Sequence, residues 1–521
     1  MISLLFLLNA SKNMAKVNFG NEPPFLDAAN LESFSLTDSE LSSYDGYHIH
    51  PSATNHQSDA MHSTNKCCTQ PHDEIGNVFG DRFHGKKRLT QFPRELLVKI
   101  FKFFNVQTLF HIASVCKLFN NLVSSNLTWL AVAQLRFPEL SVETLSTSSI
   151  PVQISKVNWR AYYLERLELE KPLPLIWKEV FYPRVIEPRY AHTGTVIEGN
   201  LYIIGGENSI LSRFNDVHCL NLETSEITKC HTRNEIQLIS RHQAIGYKES
   251  IYVFGGYDGV SNFNNLKKLD TVTQTWSIPK TSGQAPICRS NHGCVLLGHD
   301  VYIFGGNNQM SENDYQVLGD FYKLDLEAMR WEDYTDQHDG YIPSRRSGHR
   351  LVEIGGKIWM FGGGVWCKSA AAWKEKYNQV NVYDPVKRCW RLLEEEDNAS
   401  VCTFSSCARM GFQLAVWGGQ EMETNWTSSS FFTLDTITLR WRKWSIPNSP
   451  KCRDMGVLVA IGNHEMLLFG GNHGGPKDDW HVLQSSIDVL ADVLYDKAKN
   501  RRKSVRRNEE RQHFRSREGI A

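Results

Sequence analysis

The chain has 521 residues, with 57 basic and 57 acidic side chains and no formal net charge. That balance excludes a global electrostatic pull toward nucleic acid or an acidic membrane. A hydrophobic content of 41% is ordinary for a globular protein, and the length leaves room for two to three domains.

The first apolar run, ISLLFLL at 2–8, is too short to cross a bilayer. No positive residue precedes it, which argues against secretion, and Met14 offers an alternative start. Residues 1–85 read as a disordered arm. His48, His50, His56, His62, Cys67, Cys68 and His72 cluster there without zinc spacing, so no metal site is expected. Twelve cysteines are scattered without CxxC pairs, which suits free thiols in a reducing compartment. The expected location is cytoplasm, nucleus or both, and no cofactor is expected.

Residues 86–135 carry two helical stripes. Pro93, Leu96, Leu97, Ile100, Phe101 and Phe104 form the first, with Pro93 suited to a first helical turn. Leu109, Ile112, Cys116, Phe119 and Leu122 form the second, and Trp129 follows a short polar break. Three short helices bury little area alone. The surplus apolar surface is left either for a partner groove or for the chain's own linker. Residues 136–174 read as a partly helical linker, with FPEL at 137–140 and NWRAYYLERLELE at 158–170.

From residue 175 the chain repeats. An apolar run meets a glycine pair six times, beginning at Gly205, Gly255, Gly305, Gly362, Gly418 and Gly470, in steps of 50, 50, 57, 56 and 52 residues. No GxxxxGK[ST] follows, so these are not phosphate loops; the glycines mark strand ends that need positive φ or close approach. His192, His242, His292 and His349 each lie 13 residues before a pair. After the pairs an aspartate leads a tryptophan by six: Asp270/Trp276, Asp325/Trp331, Asp384/Trp390 and Asp435/Trp441, degraded to Asn221/Ile227 in the first copy. An Asp-led turn between two strands and a Trp that packs on the next unit explain that spacing. Each unit is therefore four antiparallel strands, a to d. A period near 50 is the mark of a β-propeller of the kelch type. The sixth copy lacks a strand d, and Trp177 occupies a strand-d position with no strands before it. The strand at 175–181 is expected to complete the sixth blade and remove the open edges. Residues 486–521 form a basic tail; 497–517 hold ten Lys/Arg against two Glu, with Ser504 a candidate phosphosite.

The repeats over about 175–485 resemble kelch motifs, and the segment 86–135 resembles an F-box. Leu89, Phe92-Pro93, Leu96-Leu97, Ile100-Phe101, Leu109, Ile112, Val115-Cys116, Phe119, Leu122 and Trp129 match that pattern, with Phe92 where Leu is commonest. The whole resembles the F-box/kelch-repeat proteins: mainly β, a six-bladed kelch β-propeller preceded by a small all-α F-box and a helical linker. The resemblance implies a non-catalytic substrate receptor of a Skp–cullin–F-box ubiquitin ligase. It implies contact with the Skp-type adaptor, and through it a cullin, by Leu89, Phe92, Pro93, Leu96, Leu97, Ile100, Phe101 and Leu109. The propeller then holds a protein substrate; no nucleic acid or membrane partner is expected. The alternative is a kelch scaffold or cytoskeletal binder without a ligase role. Metal-dependent oxidase chemistry, known in some kelch-like propellers, is disfavoured because the histidines recur one per blade rather than converging.

The b–c loops are long and varied, as in GGGVWCKSAAAWKEKYNQV after Gly362, and variable loops on a rigid scaffold are where recognition resides. Arg189, Arg289, Arg346 and Arg453 recur before the glycine pairs at the same end of the blade. They form either a basic ring for an acidic or phosphorylated peptide or structural pairs within blades. Trp366, Trp373 and Tyr377 are candidate substrate anchors.

Overall fold

The computed structural model describes residues 93–485, apart from stretches within 142–153 and at 171–174, 183–185, 210–211, 312–313, 337–339, 368–369, 394–398 and 463–464. The His/Cys-rich arm, Met14, Leu89, Phe92, Ser504 and the basic tail lie outside the described residues. Two compact units divide near Pro138.

The first unit is helical: α1 (Arg94–Phe101), α2 (Val106–Val115), α3 (Lys117–Val123) and α4 (Asn126–Arg136). Pro93 stands at the N-cap of α1, and the Asn105 side chain caps α2 by accepting from the Thr108 amide at 2.8 Å. Leu97, Phe101, Leu109, Ile112, Phe119 and Trp129 are buried together. Phe101 meets Phe119 edge to face at 5.5 Å, and the Trp129 indole donates to the Val123 carbonyl at 2.7 Å, so the buried N–H is satisfied.

The second unit is a ring of six antiparallel blade sheets, five of four strands and one, blade 4, of five, with a further two-stranded pair, among the described residues. Blade 1 runs Thr193–Ile197, Asn200–Ile204, Val217–Asn221 and Ile227–Lys229 as strands a to d, and blades 2 to 5 repeat the order. In blade 6, strands a to c are Val457–Ala460, Met466–Phe469 and Trp480–Ser485, and strand d is Leu175–Val180 from the other end of the sequence. Trp177 pairs with Leu483 in that ladder, and its ring lies wholly buried against Trp417 and Phe431 of blade 5. Strand a of every blade lies beside strand a of the next, so these are the innermost strands.

The Asp-led turns form as the spacing requires. Asp270 accepts from the Thr273 amide, Asp325 from Glu327 and Ala328, Asp384 from Val386 and Lys387, and Asp435 from Ile437 and Thr438, all at 2.8–3.1 Å. Asn221 does the same in blade 1 with Glu223 and Thr224. The linker helix α5 (Trp159–Leu169) belongs to this unit. It lies against the a–b and c–d turns of blade 5: Tyr162 meets Phe412 edge to face at 5.5 Å, and Arg442 donates to the Leu169 carbonyl at 2.9 Å.

Candidate binding mouth of the propeller

The repeated motif builds the blade junctions. Gly255 has φ +67°, and an added Cβ there would lie 2.6 Å from the Arg289 carbonyl and 2.7 Å from the His292 ring of the next blade. Any side chain would therefore push two blades apart. The Gly256 amide donates to that same Arg289 carbonyl at 2.8 Å, and the junctions at Gly206, Gly306, Gly419 and Gly471 repeat the bond. His192, His242, His292 and His349 are buried at these junctions, where burial first and neighbouring positive charge second depress the pKa of His192 and His292. The histidines are packing elements, one per junction, on Phe469, Phe254 and Phe304 in three of the four.

The four arginines also belong to the scaffold, which corrects the basic-ring expectation. Arg189, Arg289, Arg346 and Arg453 are at most 1% exposed. Each donates through Nη1 to the carbonyl of its own blade's first paired glycine, at 2.9–3.1 Å. Arg189 forks onto Asp216 at 2.7 and 3.0 Å, Arg289 onto Asp320 at 2.7 Å twice, and Arg453 onto Asp479. Burial raises the Asp216 carboxyl, but hydrogen bonds from His218 and Arg189 outweigh it and hold the group well below the carboxylate range. Blades 2 and 5 lose both partners together: Ile239 and Cys402 stand where the arginine would, and Asn265 and Ser430 where the aspartate would. Blade 4 keeps Arg346 but has Gln379 at the aspartate position. Arg346 Nη2 is buried without a hydrogen-bond partner, and desolvation lowers this guanidinium to about 10. Tyr377, expected as a substrate anchor, stacks on Arg346 at 4.3 Å and donates its hydroxyl to Glu375.

At the axis each blade contributes one residue with φ between +52° and +71°: Ala191, Arg241, Asn291, Gly348, Phe404 and Met455. The amide of each donates to the carbonyl of the one before it, and Ala191 to Met455, at 2.8–3.1 Å. Six backbone hydrogen bonds thus close a ring. Five non-glycine residues held in the left-handed region mark backbone that the surrounding fold over-determines, as at binding sites.

Above this ring lies a cavity of about 470 Å³. Arg241, Asn291 and Phe404 come from the ring, and Asn307 and Gln420 follow glycine pairs. Trp366 and Trp373 reach it from the two arms of the long blade-4 hairpin, Lys357–Cys367 and Ala372–Lys376. The indoles meet edge to face at 5.3 Å, Trp373 lies 5.8 Å from Phe404, and its N–H donates to Gln420 Oε1 at 3.1 Å. Trp366 and Trp373 thus line the mouth. Sequence reasoning missed Glu207, wholly buried beneath the mouth. It takes Arg241 at 2.8 Å, Arg213 at 3.2 Å and the Ser240 hydroxyl at 3.0 Å. The signal that finds such residues is the position after each glycine pair, which reads Glu207, Tyr257, Asn307, Gly364, Gln420 and Asn472 while the glycines stay fixed.

Among the described residues, His299, Asp300 and Asp325 bring three metal-ligand atoms together. Lys323 lies 3.6 Å from Asp300, and Asp325 already caps its turn, so both carboxylates have protein partners.

In the helical unit, Leu97, Phe101 and Leu109 face its own core, at 0, 4 and 0% exposure, which corrects their assignment as adaptor contacts. Pro93 is exposed, and Leu96 and Ile100 are half-buried. Phe103, Phe110 and Val115 add exposed apolar surface on this unit.

The F-box domain family model matches residues 89–131, and the KLHDC2/KLHL20/DRC7 Kelch-repeats domain model matches 174–363. The Rab9 effector protein with kelch motifs of Rattus norvegicus is 28% identical over 209 residues, 39% of this chain and 52% of that protein. Kelch domain-containing protein 3 of Mus musculus is 24% identical over 251 residues, 46% and 62% of the two chains. Host cell factor of Drosophila melanogaster is 27% identical over 210 residues, 34% of this chain and 14% of that protein. The chain thus spans less than two thirds of the length of these relatives. The chain thus carries a segment matching the F-box domain, followed by kelch repeats that close into a six-bladed propeller.

Proposed function

We propose that this protein is the non-catalytic substrate receptor of a Skp–cullin–F-box ubiquitin ligase. The observation that carries the reading is the pairing of a helical F-box unit, with Pro93, Phe103 and Val115 exposed, with a propeller whose mouth is lined by non-repeating side chains. Pro93, Leu96 and Ile100 are the adaptor contacts that the helical unit leaves at its surface. The mouth above the axial ring holds the protein to be ubiquitinated. The chemistry is positioning: tethering raises the effective concentration of substrate at the conjugating enzyme, up to the millimolar range for short connections. The compartment proposed is cytoplasm, nucleus or both.

The test is co-purification of the full chain with the Skp-type adaptor and a cullin. Wild type is expected to recover both, and Leu96→Asp/Ile100→Asp neither, with the propeller still folded by thermal denaturation. A folded wild type that recovers no adaptor sinks the ligase reading and leaves a propeller scaffold.

A further inference from the structure

The charge at the mouth is already cancelled from within. Glu207 neutralises one of the two guanidiniums around it, Arg213 and Arg241. A second carboxylate, Asp454, accepts from the Gln420 side chain at 2.9 Å on the opposite side. Both guanidiniums thus meet a carboxylate already within the protein. The recurrent arginines contribute nothing to the surface, because all four are buried and committed. At the rim, the Lys376 ammonium is bonded to the Glu421 carbonyl at 3.0 Å and to Asn425 Oδ1 at 2.8 Å.

What the mouth does present is carboxamides and aromatic faces. Asn291 donates to Asn307 Oδ1 at 3.1 Å, and each amide retains further donor and acceptor capacity. Gln420 accepts from Trp373 and Thr403 through Oε1 and donates one N–H to Asp454, so it meets a ligand through its second N–H. Carboxamides match the N–H and C=O groups of a peptide backbone and give no preference for charge. Trp366, Trp373 and Phe404 form a continuous aromatic wall beside them. Fixed aromatic walls of this kind are where binding hot spots form.

We infer that the mouth binds an uncharged, extended peptide segment that lays one aromatic or branched aliphatic side chain on the Trp366–Trp373–Phe404 wall while the carboxamides of Asn291, Asn307 and Gln420 bond its backbone. Recognition needs no phosphate and no acidic run. The inference rests on the propeller mouth being the substrate site.

The experiment uses the full chain and four fluorescent pools of end-capped decapeptides: neutral with aromatic and aliphatic positions, acidic, phosphoserine-containing, and basic. Anisotropy is read at 50 and 300 mM NaCl. The neutral pool is expected to bind best, with affinity changing less than about twofold across that salt range because no net charge is screened. Trp373→Ala is expected to weaken binding at least about tenfold, as loss of a hot spot does. Asn307→Ala, which removes a carboxamide bonded to Asn291 and not to the aromatic wall, is expected to weaken it several-fold. Thermal denaturation checks that both variants fold. Preference for the acidic, phosphorylated or basic pool overturns the inference, as does binding by no pool or neutral binding untouched by either substitution. Adaptor co-purification of the wild-type chain reads the F-box separately. Wild type that recovers the adaptor but binds no pool overturns the mouth chemistry alone, whereas peptide binding without adaptor overturns the ligase reading alone.

Discussion

Tyr162 donates its hydroxyl to Asp435 at 3.0 Å, joining the linker helix to the c–d turn of blade 5 across 273 residues of sequence. Arg166 reaches the same oxygen at 3.0 Å and Glu139 at 2.8 Å. The other carboxylate oxygen of Asp435 caps its own turn. A residue that elsewhere in the ring only makes a turn has here become the dock for the linker. Tyr162→Phe should cost about 1.5–3 kcal/mol, the loss of a buried hydrogen bond to a charged group, and Asp435→Ala more, because it also removes the cap of the c–d turn and one of the carboxylates that Arg166 meets. Denaturant unfolding of the propeller measures both; no change for Tyr162→Phe would mean the helix is not part of the cooperative unit.

Glu165 gives this dock a pH dependence. It accepts from the Phe412 amide at 3.0 and 3.1 Å, yet burial raises its carboxyl from 4.5 to about 8. The folded state thus holds a proton that the unfolded state releases above pH 4.5, so stability falls as pH rises between about 4.5 and 8. Glu165→Gln keeps an acceptor for Phe412 and removes the titration. Its melting temperature is expected to exceed that of wild type at pH 8 by more than it does at pH 5. An equal difference at both values would rule out this carboxyl as the source.

Arg289 and Arg346 occupy the same place in blades 3 and 4, but only Arg289 has a carboxylate. Arg289→Met leaves Asp320 uncompensated and should cost about 3–5 kcal/mol. Arg346→Met strands no carboxylate and is expected to cost distinctly less. Gln379→Asp should supply the missing partner and raise stability, on the order of 1 kcal/mol after the desolvation of both charges. Chemical denaturation of the three variants ranks them, and a destabilised Gln379→Asp would contradict the account of Nη2.

Trp177→Ala removes the wholly buried side chain of the closing strand, at an expected cost of about 3–5 kcal/mol. Deleting residues 175–180 exposes the Trp480–Ser485 edge, and light scattering should then show self-association. A monomeric, equally stable deletion would mean that the ring does not depend on this strand.

Leu97 and Ile100 separate folding from docking in the F-box unit. Leu97→Asp buries a carboxylate in the helical core and should unfold the unit, read as lost helical circular dichroism. Ile100→Asp sits at a half-buried position, should keep the helical signal, and should still lose the adaptor.

The amino-acid sequence by itself determined the repeat. The glycine pairs, the Asp-to-Trp spacing and the isolated strand around Trp177 specify six blades and their closure, because each is a local backbone or packing requirement that recurs at fixed intervals. The stripes of the F-box segment specified helical structure, but not the break at the extended Cys116 that divides the second stripe between α2 and α3, nor the outward faces. Pro93, Leu96, Leu97, Ile100 and Phe101 share one pattern, and only packing against Phe119 and its neighbours decides which of them point inward. The recurrent arginines show the limit most clearly. Their partners, Asp216, Asp320 and Asp479, lie 26 to 31 residues away at or within strand c, so pairing and burial depend on how the strands assemble. The mouth was decided by tertiary structure alone. It gathers Arg241, Asn291, Trp373, Phe404 and Gln420 from four blades, and the contacts of Arg241 with Glu207 and of Gln420 with Asp454 exist only once the ring has closed.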